Sequence, residues 1–168
     1  KNTIKVGTGL FKKHFTLDAR ISGISSDGFI DRAKSNLQSF SVSVAYVSKN
    51  SSLRFNILNG REKTYQAWYG IPESYLDSNR TYNPAGTEKP GTPYKNETDN
   101  YTQTHYQLFY NKKVNDHIKF NTAIFLTRGK GYYEEYRAGQ YYSEYGLDNF
   151  FNGIDTIEST DLVRRLWL

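Results

Sequence analysis

Apolar and polar residues alternate at period two in several separate segments of the chain. From Phe15 to Ser22 the odd positions are apolar, whereas the even positions are polar or charged. Successive side chains of a β-strand point to opposite faces, so this pattern predicts a strand with one apolar and one polar face. The same alternation recurs at Phe40–Tyr46, Leu53–Ile57, Tyr106–Tyr110 and Ile118–Leu126. With Ile4 and Val6 ending an earlier strand, the sequence predicts about six strands and the start of a seventh near Leu162.

The connectors between the predicted strands alternate in length. The short ones are of hairpin size and comprise Leu10–Lys13, Ser48–Ser51 and Asn111–Asp116. The long ones run roughly from Gly23 to Leu37, from Arg61 to Asn100 and from Lys130 to Thr160. Structureless connectors longer than about 12 to 15 residues are uncommon in compact domains unless they have a function. The expected fold is therefore all-β, with antiparallel up-and-down strands and all the long loops at one end.

Alternating strands, short turns and long loops together form the sequence signature of an outer-membrane β-barrel. Because lipid offers no hydrogen bonds, a spanning sheet must pair all its backbone groups between strands and close on itself. A wide, water-filled lumen then accommodates charged residues that a narrow, packed interior does not. The sequence thus predicts part of a transmembrane β-barrel with short periplasmic turns and long extracellular loops. The lumen-facing candidates are Asp18, Arg20, Arg54, Asn56, Gln103, His105, Gln107, Lys119 and Asn121.

Tyrosines at the ends of the predicted strands favour the same interpretation. Tyr46, Tyr106 and Tyr110 are expected near the short turns, and Tyr101 is expected to begin its strand. Amphipathic rings suit the boundary between hydrocarbon and headgroups. A soluble antiparallel sheet with one solvated face shows the same alternation, however. A soluble β-sheet module that binds carbohydrate through aromatic loops is therefore the alternative.

The composition narrows the possible classes of protein only a little. Hydrophobic residues make up 37% of the 168 residues and aromatic residues 16%, which fits many short strands better than a helical bundle. The formal charge of +5 is spread along the chain; it weakly favours an anionic partner, but a solvated basic surface is the preferred explanation. The absence of cysteine excludes disulfides and zinc-thiolate sites. The chain opens without a methionine and closes in mid-pattern, so we expect it to be a piece of a longer protein.

The sequence gives little support for catalysis, a cofactor or a metal. Its three histidines lie far apart and match no metal-ligand spacing. Glu134 and Glu135 are expected on a loop, and adjacent residues of an extended segment point apart, which suits a paired acid-base role poorly. Asp27 and Asp31 suggest a calcium loop, but most of the required ligands are missing. A turn in which Asp31 pairs with Arg32 or Lys34 is the preferred interpretation.

Two aromatic-rich loops are the strongest candidates for ligand contact. Tyrosine and tryptophan combine a flat apolar surface with a polar group, which suits sugars, aromatic chelates and peptides. The candidates are Tyr65, Trp68, Tyr69, Tyr75 and Tyr82 in one loop and Tyr132, Tyr133 and Tyr136 in the other. Packing of the loops against each other is the alternative role for any one of these rings. For Trp68 and Tyr69, a place in a membrane-interface belt is a third possibility.

Several longer segments resemble the barrel domain of TonB-dependent outer-membrane receptors, above all the type found in Bacteroidetes. The segments that carry this resemblance are SSDGFIDRA (Ser25–Ala33), LRFNILNGREKTYQAWYGIPE (Leu53–Glu73), QTHYQLFYN (Gln103–Asn111), TRGKGYYEEYR (Thr127–Arg137) and the terminal STDLVRRLWL. They occur in matching order and are spread along most of the chain, from Ser25 to Leu168. The resemblance implies that residues 1–168 are part of such a barrel, without its plug domain.

The resemblance also implies a function and a set of partners. Receptors of this family sit in the bacterial outer membrane, where a barrel of twenty-two strands, closed by a plug, takes up a scarce nutrient such as an iron chelate (siderophore), a vitamin or a glycan. The implied partners are outer-membrane lipid, the plug domain of the same parent chain, the TonB energy-coupling complex that acts through the plug, and a small-molecule or glycan ligand. Nucleic acid is not expected, because acidic residues are mixed through the aromatic loops. With too few strands to close such a barrel, this segment alone is expected to transport nothing.

Overall fold

The computed structural model describes all of residues 1–168 and is all-β. Its strands are β1 (Asn2–Gly7), β2 (Phe15–Ser26), β3 (Ser35–Val47), β4 (Ser51–Tyr65), β5 (Thr98–Lys113), β6 (Lys119–Tyr141), β7 (Phe150–Phe151), β8 (Thr156–Ile157) and β9 (Ser159–Trp167). Two short 3-10 helices cover Glu73–Tyr75 and Tyr142–Tyr145. Neither is long and apolar enough to cross a membrane.

Seven of the strands form one antiparallel up-and-down sheet in the order β1-β2-β3-β4-β5-β6-β9. The strands β7 and β8 pair separately with each other. The expected all-β class and the antiparallel up-and-down arrangement are thus confirmed, whereas the sheet is not closed into a barrel. The two-residue strands β7 and β8 were not predicted, because alternation cannot be recognised over so short a stretch.

The predicted bounds of the long connectors are wrong, because the strands run further than their alternation. The connectors cover residues 27–34, 66–97 and 142–158, and β6 continues to Tyr141. Tyr132, Tyr133 and Tyr136 therefore lie on a strand and not in a loop, and Tyr65 is the last residue of β4. In this part of β6 both Glu134 and Glu135 are buried. A strand that is buried on both faces loses the apolar–polar alternation that identifies a half-exposed one.

The chain forms two compact units. The first, here called the strand unit, comprises Lys1–Ser26, Ser35–Lys63 and Tyr101–Lys130. The second, the loop unit, comprises Asp27–Lys34, Thr64–Asn100 and Gly131–Leu168. The loop unit thus holds the connectors after β2 and β4, the last part of β6, and β9.

In the strand unit, the pairing of β1, β2 and β3 separates apolar from polar side chains. Residues that pair across strands share a face of the sheet. On one face the paired positions are Ile4 with Ile21, Val6 with Ala19, Ile21 with Phe40, and Leu17 with Val44. On the other face they are Lys5 with Arg20, Asp18 with Ser43, Arg20 with Ser41, and Ser22 with Ser39. The two-faced strands that the alternation predicts are therefore present.

The apolar face of the strand unit is exposed. Ile4, Ile21 and Ile124 keep 69%, 67% and 66% of their surface accessible. In the whole chain the buried hydrophobic residues are only Ala45, Tyr65 and Ala85. Soluble monomeric proteins rarely expose large contiguous apolar patches.

Aromatic rings cluster where strands meet the short turns. The rings of His14 and Phe15 lie 5.4 and 5.3 Å from that of Tyr46, measured between centroids. The rings of Tyr110 and Phe120 lie 6.3 Å apart on β5 and β6. The predicted positions of Tyr46 and Tyr110 near the short turns are confirmed. That of Tyr106 is wrong, because β5 extends seven residues beyond it, to Lys113.

Candidate functional site

Four of the residues that the sequence predicts to face the lumen line one groove on the polar face of the strand unit. Asp18, Arg20, Asn56 and Gln107 border an open groove of about 410 Å³. The Asn56 side-chain amide donates a hydrogen bond to Oε1 of Gln107 at 3.2 Å, which links β4 to β5. Residues that lie far apart in sequence thus meet in one groove, whose lining also includes apolar residues such as Val6 and Leu58.

The other predicted polar-face residues lie in adjoining parts of the strand unit. Gln103 borders a neighbouring groove that Arg20 also lines. Arg54 shares a groove with Asn56, and Lys119 and Asn121 share one near the short turns. A ring nitrogen of His105 and the hydroxyl of Thr127 lie 2.9 Å apart, in hydrogen-bond contact. These side chains offer water, ions or a polar ligand a surface rich in donors and acceptors.

The loop unit is organised around buried polar side chains. Gln66, Asn83 and Glu134 have 0%, 1% and 2% of their surface exposed. The Asn83 amide donates to the backbone oxygens of Gln66 and Asp31 at 2.7 and 3.0 Å. Its Oδ1 accepts a hydrogen bond from the backbone N–H of Ala85 at 3.0 Å. Asn83 thus joins the first connector, residues 27–34, to Gln66 and Ala85 in the second connector, residues 66–97.

Arg32 also fixes the first connector to the second. Its guanidinium donates to the backbone oxygens of Asn83 and Ala85, the latter at 3.0 Å, and lies 5.9 Å from the centre of the Tyr65 ring. Lys34 pairs with Asp27 at 3.8 Å, where both side chains are exposed. The expected pairing of Asp31 with one of these two cations is therefore wrong. No group of three or more histidine or carboxylate side chains is placed to hold a metal ion.

Glu134 and Glu135 each bind an arginine of β9. Glu134 Oε2 accepts from Nε of Arg165 at 2.7 Å, and Glu135 Oε1 accepts from Nε of Arg164 at 2.7 Å. The register pairs Glu134 with Arg165 and Glu135 with Arg164, so the two ion pairs lie on opposite faces of the sheet. Glu134 Oε1 also accepts hydrogen bonds from the Asn96 amide and from the Tyr94 hydroxyl, the latter at 2.7 Å. Charge-assisted bonds of this kind compensate for the burial of the two carboxylates.

The protonation states around Glu134 argue against acid-base chemistry there. Burial alone acts to raise the pKa of Glu134, but its hydrogen bonds from Tyr94, Asn96 and Arg165 outweigh burial and lower it. Burial and the hydrogen bond to Glu134 raise the pKa of Tyr94 to about 12. Near neutral pH the carboxylate is charged and the phenol is neutral, so neither is poised to exchange a proton. The hydrogen bonds from Tyr94 and Asn96 to Glu134 instead join the second connector, residues 66–97, to β6.

Glu97 is the exception among the buried carboxylates of the loop unit. It is 7% exposed, and its Oε2 lies buried without a hydrogen-bond partner. Burial raises the pKa of Glu97, against the hydrogen bonds from the backbone of Gly86 and Tyr136. Its ionised form is therefore disfavoured in the folded loop unit.

Three aromatic rings form a cluster, here called the Trp68 platform, that consists of Trp68, Tyr69 and Tyr133. The Trp68 ring lies 6.1 Å from that of Tyr69 and 6.1 Å from that of Tyr133. Trp68 is 59% exposed and Tyr69 is 42% exposed, whereas Tyr133 is half-buried. The Tyr133 hydroxyl donates to Oε1 of the buried Gln66 at 2.5 Å. A fixed ring therefore supports two exposed ones, and their flat surface can stack on a sugar ring or an aromatic chelate.

The remaining predicted aromatic residues have separate roles. Tyr65 is buried, and its hydroxyl donates to the backbone oxygens of Ala85 and Tyr94, so it packs the second connector. Tyr75 and Tyr82 form an edge-on pair with ring centres 4.8 Å apart. Loop packing, the alternative role that the sequence left open, applies to Tyr65.

Tyr132 and Tyr136, which were also predicted as loop residues, contact β9 in the structure. The Tyr132 ring lies 4.9 Å from that of Trp167 and 4.7 Å from the Arg165 guanidinium. The Tyr136 hydroxyl donates to Asp161, and this bond raises the pKa of Tyr136. The structure thus brings three of the eight predicted aromatic residues into one cluster and distributes the other five.

The buried polar residues of the loop unit were not predicted from the sequence. The sequence neighbours of these residues are largely polar, so no local pattern indicates that Gln66, Asn83 and Glu97 are buried. One usable signal was the adjacent acidic pair of β6 and the adjacent basic pair of β9. Two such doublets on antiparallel strands can pair on both faces at once.

The fold and the candidate site define an all-β protein with a two-faced antiparallel sheet and a loop unit that carries exposed aromatic rings. No family model, curated protein or solved structure matches the chain. Its resemblance to TonB-dependent receptors therefore rests on the sequence segments alone and stays a prediction.

Proposed function

We propose that the chain is a segment of an outer-membrane β-barrel, in a receptor of the TonB-dependent type that takes up a scarce nutrient. The observation that most supports this proposal is the exposed apolar face of the strand unit. Its strands are also long enough to cross a bilayer. The strands β2, β3, β4 and β5 contain 12, 13, 15 and 16 residues. A tilted transmembrane strand needs about 9 to 11.

Two further features support lipid as the partner of the apolar face. Tyr46, Tyr110 and Phe120 lie near the short turns, and aromatic girdles of this kind lie at membrane interfaces. The opposite face carries charged side chains such as Asp18 and Arg20, which a water-filled lumen accommodates. A soluble sandwich covers its apolar face with a second sheet, but here the isoleucines of that face remain two-thirds exposed.

In this proposal the Trp68 platform takes part in ligand capture. Its exposed rings suit a ligand with a flat apolar surface, such as a glycan or an aromatic iron chelate. Transport itself depends on a plug and on an energy-coupling complex, as in the family that the chain resembles.

Membrane fractionation of the intact protein tests the proposal. We expect the protein in the outer-membrane fraction, with a mobility on denaturing gels that changes on heating, because closed barrels resist unfolding in detergent. Recovery of a soluble protein from the periplasm contradicts it.

The role of the Trp68 platform is testable by substitution. We expect Trp68→Ala to lower nutrient uptake several-fold at limiting nutrient, because one stacked aromatic ring contributes about 0.5 to 1.5 kcal/mol. The measurement is uptake by cells that lack the native protein and express the variant. The matched control is Tyr75→Ala, which removes a ring of the same connector outside the platform. Equal uptake by wild type and Trp68→Ala excludes the platform from ligand capture.

A soluble carbohydrate-binding module is the second candidate, and the same exposed rings favour it. In such a module, too, Trp68→Ala is expected to weaken ligand binding, here measured as binding of a glycan. It differs in requiring a water-soluble protein, so the fractionation experiment separates the two proposals.

A further inference from the structure

The net positive charge of the chain lies at the short-turn end of the strand unit. The antiparallel up-and-down order brings three short turns to one end of the sheet. With the strand residues beside them, they comprise residues 8–14, 48–50 and 112–119. These segments contain Lys12, Lys13, Lys49, Lys112, Lys113 and Lys119 and a single acidic residue, Asp116. The excess equals the formal charge of +5 of the whole chain, so basic and acidic residues balance elsewhere.

Two of these lysines face each other on paired strands. The backbone N–H of Val114 donates to the backbone oxygen of Ile118 at 3.0 Å, so the register places Lys113 opposite Lys119. Side chains at such positions have Cβ atoms about 4.5 to 5.5 Å apart, and like charges there repel each other. Both lysines are exposed. An anion between the two cations relieves this repulsion.

A groove borders this pair of lysines on the polar face of the strand unit. It measures about 310 Å³, and its lining includes Lys49, Ser52, Asn111, Lys113, Lys119 and Asn121. Asn111 and Lys113 have the same strand parity as Gln107, which lies on the polar face. The Asn111 amide donates to Oγ of Ser52 at 3.2 Å, and the backbone N–H of Lys113 donates to the backbone oxygen of Asn50 at 2.8 Å. These bonds fix the groove to β4 and β5.

Asp116 shows the contact that the groove offers to an anion. Its carboxylate lies 2.5 Å from Nζ of Lys113. Lys49 and Lys119 form no ion pair with any carboxylate of the chain. The groove therefore holds cations that a carboxylate of another molecule can reach.

The position and size of the groove favour a peptide over a lipid or a small ion. The groove lies on the polar face, away from the apolar side chains that acyl chains cover. Its volume corresponds to on the order of ten water molecules of ~30 Å³ each, which is more than one small anion fills. Alternate side chains of an extended peptide lie about 7 Å apart on one side, which matches one to two spacings of ~4.8 Å between the strands that carry the lysines. Amide and hydroxyl groups between the cations can bind a peptide backbone.

We propose that this groove, here called the lysine groove, binds an extended acidic peptide segment of another protein, with carboxylates at alternate positions. Lys113 and Lys119 contact the carboxylates, and Asn111 and Asn121 form hydrogen bonds with the peptide backbone. The proposal does not depend on the membrane location, because the strand unit alone forms the groove.

The test measures binding of a fluorescein-labelled octapeptide of alternating aspartate and serine to the intact protein in neutral detergent, by fluorescence anisotropy. A peptide of alternating asparagine and serine reports contacts that need no charge. The groove variant carries K113Q and K119Q. A matched control carries K12Q and K13Q, which removes the same charge from the turn between β1 and β2. That turn lies three strand spacings from β5, about 14 Å, which exceeds the screening length of about 10 Å at 0.1 M salt.

We expect the wild type to bind the acidic peptide at least about tenfold more tightly than the neutral one, because two ion pairs contribute. The groove variant should lose at least about fivefold in affinity for the acidic peptide, and the control less than about twofold, since one exposed ion pair contributes up to roughly fivefold. The groove variant should unfold at the same temperature as the wild type or a higher one, because it removes a pair of like charges. Equal affinity of groove variant and wild type overturns the proposal, as does equal binding of the two peptides.

Competition separates a peptide from other anions. We expect the unlabelled acidic peptide to displace the labelled one at a concentration at least about tenfold below that of inorganic phosphate or of phosphatidylglycerol added to the micelles, because several linked contacts bind more tightly than one. Displacement by phosphate at the same concentration indicates a site for small anions, and displacement by the lipid indicates a headgroup site; either result contradicts the proposal. None of these outcomes changes the expected result of membrane fractionation, so the lysine groove can fail while the proposed function stands.

Discussion

At the scale of single residues, buried charges of the loop unit differ in how completely they are compensated. Glu134 and Glu135 each have an arginine partner, whereas Oε2 of the equally buried Glu97 has no hydrogen-bond partner. Removal of one partner from a buried pair leaves an uncompensated charge, which costs far more than the loss of an exposed pair. We therefore expect the two arginines of β9 to stabilise the loop unit and the charge of Glu97 to destabilise it.

The charge of Glu97 makes the stability of the loop unit depend on pH. Because its pKa is raised above the ordinary value of 4.5, its contribution is fully present below pH 4.5 and is lost as pH rises through the raised pKa. We expect Glu97→Gln to stabilise the loop unit near neutral pH and to have little effect below pH 4.5. Backbone hydrogen exchange of residues 64–100 in the intact protein, compared between variant and wild type at each pH, measures this. Faster exchange in the variant at pH 7 contradicts the prediction.

The sequence predicted the chemistry of these residues but not their burial. Trp68, Tyr69 and Tyr133 were selected as aromatic candidates, yet nothing local distinguished them from Tyr65, which is buried, or from Tyr132, which contacts Trp167. The difference arises from contacts between segments far apart in sequence, such as the bond from Tyr133 to Gln66. Period-two alternation carries no information on such contacts.

At the scale of elements, period-two alternation predicts the strands of the strand unit closely but does not predict the structure of the loop unit. The strands β2 and β3 show the predicted alternation because one face is polar and the other is exposed and apolar. The last part of β6 does not alternate, since side chains of both faces are buried by ion pairs and connectors. Connector residues 66–97 are ordered by buried hydrogen bonds of Asn83 and Arg32, which a search for turn-forming residues does not detect.

Two glycines of the same connector differ in how closely the chain surrounds them. Both have positive φ, 79° at Gly86 and 76° at Gly91, so a side chain at either position is strained. A Cβ at Gly86 also overlaps the Tyr65 hydroxyl and lies 2.8 Å from the backbone oxygen of Tyr94, whereas a Cβ at Gly91 meets nothing within 4 Å. We expect Gly91→Ala to cost about 1 to 2 kcal/mol of local stability and Gly86→Ala clearly more. Protease cleavage within residues 66–97 of the intact protein measures both, and equal cleavage of the two variants contradicts this packing.

At the scale of the whole molecule, hydrophobic burial within the chain is small. Ala45, Tyr65 and Ala85 are its buried hydrophobic residues, while large apolar side chains stay exposed on a sheet of seven strands. A chain of this length ordinarily buries most of its apolar surface on folding. In the proposed function, lipid covers these exposed apolar side chains.

A charge on the apolar face therefore has a different consequence from the same charge on the polar face. Ile124 is 66% exposed on the apolar face of β6, and the polar-face candidate Asn121 lies three residues away on the opposite face. We expect Ile124→Arg to reduce the amount of heat-modifiable protein in outer membranes strongly, because an arginine facing the bilayer interior costs about 2 to 4 kcal/mol. Asn121→Arg, the matched control, should assemble as the wild type does, since its side chain faces water in the proposed lumen. Both amounts can be measured by immunoblot of outer-membrane fractions with and without heating. If Ile124→Arg assembles normally, water and not lipid covers the apolar face, and the proposed membrane location is wrong.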